Sequence, residues 1–78
     1  MASEQRSAIL AYLTRVPDAC TADLADALGF SLPGASMHLL RLVRSGLVHR
    51  TFDRRQGRYF YSITTKGWAR LEFLRGSR

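Results

Sequence analysis

Apolar residues recur at helical spacing near the start of the chain and predict an amphipathic helix from Glu4 to Arg15. Ser3 can cap its first turn through the side-chain hydroxyl, and Pro17 ends the pattern because proline cannot continue a helix. The face predicted to be buried consists of Ile9, Leu10 and Leu13.

A second, shorter helix is predicted from Ala22 to Leu28, between two capping signals. Thr21 is a suitable N-cap residue, Asp23 suits the positive end of the helix dipole, and Gly29 is suited to a left-handed C-terminal conformation. The residues expected to face the core are Leu24, Ala27 and Leu28.

A third helix is predicted from Leu32 to Ser45. Ser31 is its predicted N-cap, Pro33 is tolerated because it lies in the first turn, and Gly46 ends the helix. Its buried stripe is expected to comprise Ala35, Leu39, Leu42 and Val43. Its outward face is expected to comprise Leu32, Pro33, Ser36, Met37, Leu40, Arg41 and Arg44.

Aromatic and β-branched residues after the third helix predict two strands, from Leu47 to Phe52 and from Arg58 to Ile63. The polar segment from Asp53 to Gly57 lies between them and predicts the loop of a β-hairpin, with the glycine available for a positive φ. Three consecutive rings of the second strand are expected to complete the core, with stacking of single-stranded nucleic acid as the alternative. They belong to Tyr59, Phe60 and Tyr61.

A fourth helix is predicted from a cap at Thr64 to about Arg75, and residues 76–78 are expected to fray. Its apolar set is Trp68, Leu71 and Leu74. The predicted order of elements is therefore helix, helix, turn, helix, hairpin, helix. This order predicts an α+β fold of the winged helix-turn-helix type, with three helices, a β-hairpin wing and a short C-terminal helix.

The length of 78 residues predicts a single domain that spans residues 1–78, and a hydrophobic content of 46% is enough for one core. No apolar run approaches the length that would span a bilayer. Cys20 is the only cysteine and cannot form an internal disulfide, which fits a reducing compartment. We therefore expect a cytoplasmic protein, in which Cys20 is a small buried residue rather than a reactive thiol.

The net charge of +6 is distributed unevenly along the chain. Residues 1–30 hold two arginines against four carboxylates, a net charge of −2. Residues 31–78 hold ten cations against two carboxylates, a net charge of +8. Six arginines fall within the eighteen residues from 41 to 58. This concentration of arginine indicates a surface that binds a polyanion rather than an ordinary solvated face.

Two consecutive segments resemble bacterial winged-helix repressors, and the MarR-like and ArsR-like transcriptional regulators most of all. The helix-turn-helix pattern of these families is similar to residues 24–48, LADALGFSLPGASMHLLRLVRSGLV. Their wing, an arginine-rich hairpin that leads into a pattern like YYSLT..G, is similar to residues 49–67, HRTFDRRQGRYFYSITTKG. The resemblance covers about residues 4–75 and implies a fold that agrees with the predicted order of elements.

The chain departs from these families at the start of the third helix. Many members carry polar residues there, whereas Leu32, Pro33 and Gly34 offer no side-chain hydrogen bond to a base. Such residues can contact a thymine methyl group, let the backbone approach a phosphate, or meet a protein. The paired cysteines of the metal-sensing branch are absent, and His38 and His49 stand without neighbouring ligands, so we expect no metal and no cofactor.

The resemblance implies a transcriptional regulator that binds double-stranded DNA with a sequence preference, and we expect a repressor. Helix 32–45 is expected in the major groove, and the wing, residues 53–58, on the phosphate backbone or in the minor groove. The N-terminus of the second helix is expected to grip phosphate as well. The residues expected to contact DNA are Ser31, Leu32, Pro33, Ser36, Met37, His38, Leu40, Arg41, Arg44, Arg50, Arg54, Arg55, Gln56 and Arg58.

Two alternatives to a transcriptional regulator remain from the sequence. The first is a winged-helix module that binds protein through the apolar residues of the third helix. The second is an architectural protein, or a plasmid or phage replication protein, that binds DNA without regulating a promoter.

A homodimer is expected to form through Trp68, Leu71 and Leu74. No nucleophile and base set, paired carboxylates or phosphate-binding glycine loop stands out in the sequence, so we do not expect an enzyme.

Overall fold

The computed structural model describes residues 3–76, apart from the side chains of Ser3 and Arg75, and it confirms the α+β winged helix-turn-helix fold. The helices are α1 (Ser3–Arg15), α2 (Thr21–Leu28), α3 (Leu32–Arg44) and α4 (Thr65–Gly76). The strands are β1 (Ala19–Cys20), β2 (Val48–Asp53) and β3 (Arg58–Ile63). The cap predicted for Ser3 and the fraying predicted for residues 77 and 78 lie outside the described residues, whereas Gly76 belongs to α4.

Helix α2 begins one residue earlier than predicted, because Cys20 rather than Thr21 is its N-cap residue. The backbone of Cys20 is extended, with φ −90° and ψ 171°, and its N–H donates to Oδ2 of Asp23 at 3.1 Å. The first turn is therefore closed by the carboxylate of the third helical residue. Gly29 ends the helix with φ +74°, the left-handed conformation that was expected there.

Local capping signals set both ends of α3. Oγ of Ser31 accepts a hydrogen bond from the backbone N–H of Gly34 at 3.1 Å, which confirms the predicted N-cap. Pro33 lies in the first turn, where no intrahelical hydrogen bond is lost. The helix ends at Arg44, one residue earlier than predicted, and Gly46 turns the chain with φ +78°.

The hairpin strands β2 and β3 are antiparallel and pair from Val48 opposite Ile63 to Asp53 opposite Arg58. Leu47 precedes β2 rather than beginning it, because its N–H donates to the last turn of α3 at 3.0 Å. The hairpin loop therefore has four residues, 54–57, and the register brings residues 50, 52, 59 and 61 to one face of the sheet.

The sequence pattern does not predict β1, which completes a sheet of order β1-β3-β2. It pairs Ala19 with Tyr61 and Cys20 with Phe60, in antiparallel orientation. Two residues carry no readable period, so this strand depends on tertiary pairing. Cys20 is buried there, as expected for a small core residue.

One cluster of apolar side chains joins the helices to the sheet. Its buried members are Ile9, Leu10, Leu13, Ala19, Leu24, Ala25, Ala35, Leu39, Leu42, Leu47, Val48, Tyr61 and Leu71. The inward role predicted for Ala27 is wrong, since Ala27 is exposed and Ala25 is buried in its place. Residues 24, 25 and 28 lie within about 100° of the helix circumference, and residue 27 lies outside that arc.

Three further aromatic and apolar residues differ from the predicted core and dimer contacts. Tyr59 and Tyr61 lie on the same face of β3, yet Tyr59 is exposed while Tyr61 is buried, because Tyr61 pairs with β1 beside the core and Tyr59 lies nearer the hairpin loop. Leu71 is fully buried against the core, so it cannot contact a second copy of the chain. Trp68 is exposed, which excludes a place in the core and leaves its predicted dimer contact as a prediction.

Helix α4 lies very close to the turn between α3 and β2. A Cβ atom on Gly67 would overlap the carbonyl oxygen of Leu47 and the side chain of Ile63. Oγ1 of Thr64 accepts from the N–H of Gly67 at 2.9 Å, which confirms Thr64 as a cap, and donates to the carbonyl oxygen of Gly46 at 2.7 Å. These contacts hold the hairpin in a fixed position relative to α3.

Candidate nucleic-acid interface

The outer face of α3 is apolar in its first half and basic in its second half. Its exposed residues are Leu32, Pro33, Ser36, Met37, Arg41 and Arg44. Leu40, which the sequence predicts to be outward, is half-buried because it faces the hairpin. Since four residues make slightly more than one turn, Met37 and Arg41 lie almost in line along the helix axis.

His38 lies at the side of this face rather than on it. Its side chain is half-buried, with its ring centroid 4.9 Å from that of Phe30. Its Nδ1 atom is buried and has no hydrogen-bond partner among the described residues. A phosphate contact by His38, as the sequence suggests, would therefore have to use Nε2.

The wing, residues 53–58, is fixed by one carboxylate. Oδ1 of Asp53 accepts hydrogen bonds from the backbone N–H groups of Arg55 at 2.9 Å and Gln56 at 3.2 Å. The N–H of Gly57 donates to the carbonyl oxygen of Asp53 at 2.8 Å, and Gly57 has φ +64°. Because Asp53 faces these donors, its negative charge organises the turn instead of opposing the arginines that the turn displays.

The arginine side chains of the wing tip are free to bind an anion. Arg54 and Arg55 are exposed, and their side chains form no hydrogen bond or ion pair with any residue between 3 and 76. Arg58, at the start of β3, is exposed too, and its Nη1 lies 3.7 Å from Sγ of Cys20. The structure therefore brings the wing arginines to one protruding turn, as their positions in the sequence suggest.

Arg50 contacts an aromatic side chain, Tyr59, that the sequence pattern predicts to lie in the core. Its guanidinium carbon lies 4.3 Å from the centroid of the Tyr59 ring, a cation–π geometry. The ring of Phe52 meets Tyr59 edge-on at 5.1 Å between centroids. Tyr59 is 41% exposed, so this stack lies on the surface of the hairpin.

A groove of about 580 Å³ separates α3 from the hairpin. It is lined by Thr21, Ala22, Ser36, Leu40, Arg50, Arg58, Tyr59 and Tyr61. These residues offer two guanidinium groups and four hydroxyl groups, and none of them is acidic. Thr21 and Ala22 form the N-terminus of α2, where the positive end of the helix dipole also favours an anion.

Sequence reasoning missed Tyr59 and Arg6. Tyr59 enters the groove only because the sheet folds against α2 and α3, whereas Thr21 belongs to the N-terminus of α2 that was expected to bind phosphate. Arg6 was not assigned, yet it lines a second, smaller recess of about 300 Å³ together with Arg41 and Arg44. Arg6 has no local signal that distinguishes it from an ordinary helical arginine, so only the packing of α1 beside α3 reveals it.

Three further properties of the described residues concern metal ligation, membrane-spanning helices and shifted pKa values. Among residues 3–76, no group of three His, Cys, Asp or Glu side chains could hold a metal ion. None of the helices in that range is long and apolar enough to cross a membrane. The pKa of the Tyr12 hydroxyl is raised, first by burial and then by the negative charge of Asp23. This phenol therefore stays neutral at physiological pH.

A three-helix core whose third helix exposes one face, followed by a basic hairpin, defines a winged helix-turn-helix protein. The family model of the MarR family matches residues 3–58, which is more than half of the chain. The chain belongs to the MarR family. No curated protein sequence matches it significantly.

Solved structures of MarR-type regulators have the same fold. MepR, a transcription regulator of the Staphylococcus aureus multidrug efflux pump MepA, is 29% identical with a TM-score of 0.81, over 91% of this chain and 53% of MepR. The S. aureus MepR–DNA complex gives 27% identity and a TM-score of 0.79, over 91% of this chain and 52% of that chain. A further MarR family transcription regulator is 28% identical with a TM-score of 0.81, over 90% and 47%. This chain thus spans about half the length of the structures it matches.

Proposed function

We propose that the chain binds double-stranded DNA and regulates transcription, acting as a repressor that occupies an operator. The observation that carries this proposal is the basic surface made by α3, the groove and the wing. Six arginines contribute to it, and the one carboxylate of the wing is engaged by backbone N–H groups. The similar fold of MepR, which has been solved with DNA, supports the same conclusion.

In this proposal α3 enters the major groove and the wing follows the phosphate backbone or the adjacent minor groove. Arg41 and Arg44 are assigned to base edges and phosphates, and Ser31 can still donate its hydroxyl hydrogen while Oγ caps the helix. Arg50 and Arg58 line the groove, where a phosphate of the backbone would lie. The remaining contacts are assigned to Leu32, Pro33, Ser36, Met37, His38, Leu40, Arg54, Arg55 and Gln56.

We also propose that the chain acts as a homodimer, because one such module contacts too few base pairs for tight specific binding. The candidate contact is the exposed surface of α4, where Trp68 and the 68% exposed Phe73 lie about 140° apart around the helix. The half-buried Leu74 lies nearer the core side of the helix, at the edge of this surface. Sedimentation should show a dimer for the wild type and a monomer for a Trp68→Ala, Phe73→Ala double variant. A wild-type monomer both free and on DNA would contradict the dimer and leave the fold unaffected.

The test of DNA binding is selection of duplexes from a genomic library, followed by competition with random duplex. We expect enrichment of a defined sequence and weaker binding by an Arg41→Ala variant. The control is Arg15→Ala, which removes an exposed arginine from α1, outside the proposed surface. If the wild type binds no duplex, the proposal is wrong, and the exposed apolar residues of α3 would then favour a protein partner.

A further inference from the structure

The first two turns of α3 present almost no polar side chain to a ligand. Leu32 is 56% exposed and Met37 is 53% exposed, and Pro33 is exposed between them. Ser36 supplies the only side-chain hydroxyl of this half of the helix beyond the cap. Packing in the core does not account for these two large apolar side chains, because Leu32 and Met37 both lie outside the core cluster.

Position along the helix decides which of these side chains can read sequence. In helix-turn-helix proteins the N-terminal residues of the recognition helix contact base edges. The part of α3 that would lie deepest in the major groove is therefore the apolar half. Arg41 and Arg44 lie about one and two turns after Met37. Among the exposed side chains of this half, only Ser36 can form a hydrogen bond to a base.

The major groove offers one apolar group that such side chains can recognise. Among the four bases only thymine carries a C5 methyl group there, and apolar side chains distinguish it by contact rather than by hydrogen bonds. Removal of this methyl group leaves base pairing and the hydrogen-bond donors and acceptors of the major groove unchanged. A Leu and a Met exposed at the reading end of the helix match this group in polarity and in reach.

We infer that Met37 and Leu32 are specificity-determining residues that recognise thymine C5 methyl groups in the major groove. The inference rests on the proposed DNA binding and goes further, because it states how sequence is read where polar side chains are missing. Arg41, in line with Met37 one turn later, contributes charge and a polar contact that fix the register of the helix.

The test replaces each thymine of the selected duplex, one at a time, by deoxyuridine. At thymines that face Met37 or Leu32, loss of the methyl group should weaken binding by about fourfold, the factor expected for one buried methyl group. This ratio should stay the same between low and high salt, because no charge is involved, whereas the overall affinity falls as salt is added.

Variants then assign the contact to a side chain. Met37→Ala should remove the thymine–deoxyuridine difference at its own position, and Met37→Leu should keep most of it. Arg54→Ala is the matched control: it should weaken binding to both duplexes equally and leave the ratio intact. Thermal unfolding should be nearly unchanged for Met37→Ala, because the side chain is exposed.

Two results would overturn the inference in different ways. If the protein selects a sequence but deoxyuridine has no effect at any position, or if the ratio survives both Met37→Ala and Leu32→Ala, methyl recognition is wrong and DNA binding stands. If no duplex is bound at all, the inference and the proposed function fail together.

Discussion

The wing offers the most direct test of the proposed phosphate contacts, through the double variant Arg54→Ala, Arg55→Ala. Both side chains are exposed and make no polar contact with the described residues, so their removal should cost little folding stability. Each arginine that neutralises a phosphate releases counterions, and the slope of log affinity against log salt changes by about 0.9 for each contact.

The magnitude follows from the number of arginines on the surface. Six of them lie on α3, in the groove or on the wing, and four to six phosphate contacts per subunit give a slope of about −4 to −5. Loss of the two wing contacts should make the slope less negative by about 1.8 per subunit. The affinity ratio of wild type to variant should then shrink about twelvefold for each bound subunit between 50 mM and 200 mM salt, or about 150-fold for a dimer.

Fluorescence anisotropy with a labelled duplex at four or more salt concentrations measures these slopes. The selected duplex and a random duplex should lose affinity in parallel, because phosphate contacts carry no sequence information. Arg15→Ala serves as the control and should keep the wild-type slope. An unchanged slope in the wing variant would refute the assignment of Arg54 and Arg55 to phosphates, whatever the wild type binds.

Two further predictions concern the packing contact between α4 and the turn before the hairpin, and both are measured by urea unfolding. Gly67→Ala should lower the free energy of unfolding by roughly 1–3 kcal/mol, because the new methyl group would overlap the carbonyl oxygen of Leu47. Gly76→Ala, where nothing lies within 4 Å of the added atom, is its control, and equal stability of the two variants would contradict the close approach. Thr64→Val should cost roughly 1–2 kcal/mol through loss of the cap and of the bond to Gly46, while Thr65→Val should be nearly neutral.

The elements with local signals could be predicted from the sequence. Ser31 and Gly29 act at the helix ends where their chemistry places them, because a cap depends on only a few neighbouring residues. The same reasoning failed at α2, where the acceptor is the carboxylate of Asp23 and the cap residue is Cys20. A side chain that reaches back to the preceding backbone shifts the helix start without changing the apolar pattern.

Features that depend on distant residues could not be predicted. Strand β1 exists because Ala19 meets Tyr61 across a gap of more than forty residues, and a two-residue segment has no period of its own. The charge pattern indicated the arginines of the surface, since charge needs no tertiary information. The groove between α3 and the hairpin, and the place of Tyr59 in it, needed the sheet register.

The contact between Arg50 and Tyr59 leads to a prediction that separates position from charge. If the ring holds the guanidinium toward a phosphate, Tyr59→Leu should weaken DNA binding about two- to fivefold, the usual strength of an exposed cation–π contact. Tyr59→Phe keeps the aromatic face and should bind nearly as well as the wild type. The salt slope should stay the same in both variants, because Arg50 still carries its charge.

These two variants also test which property of Tyr59 matters. Tyr59 lines the groove, so its hydroxyl is a second candidate to donate to a phosphate, whereas the ring acts only through Arg50 and Phe52. If Tyr59→Phe is as weak as Tyr59→Leu, the hydroxyl is the important group and the stack is incidental. If Tyr59→Leu binds as tightly as the wild type, then Arg50 needs no aromatic support, and its contribution is that of a mobile surface charge.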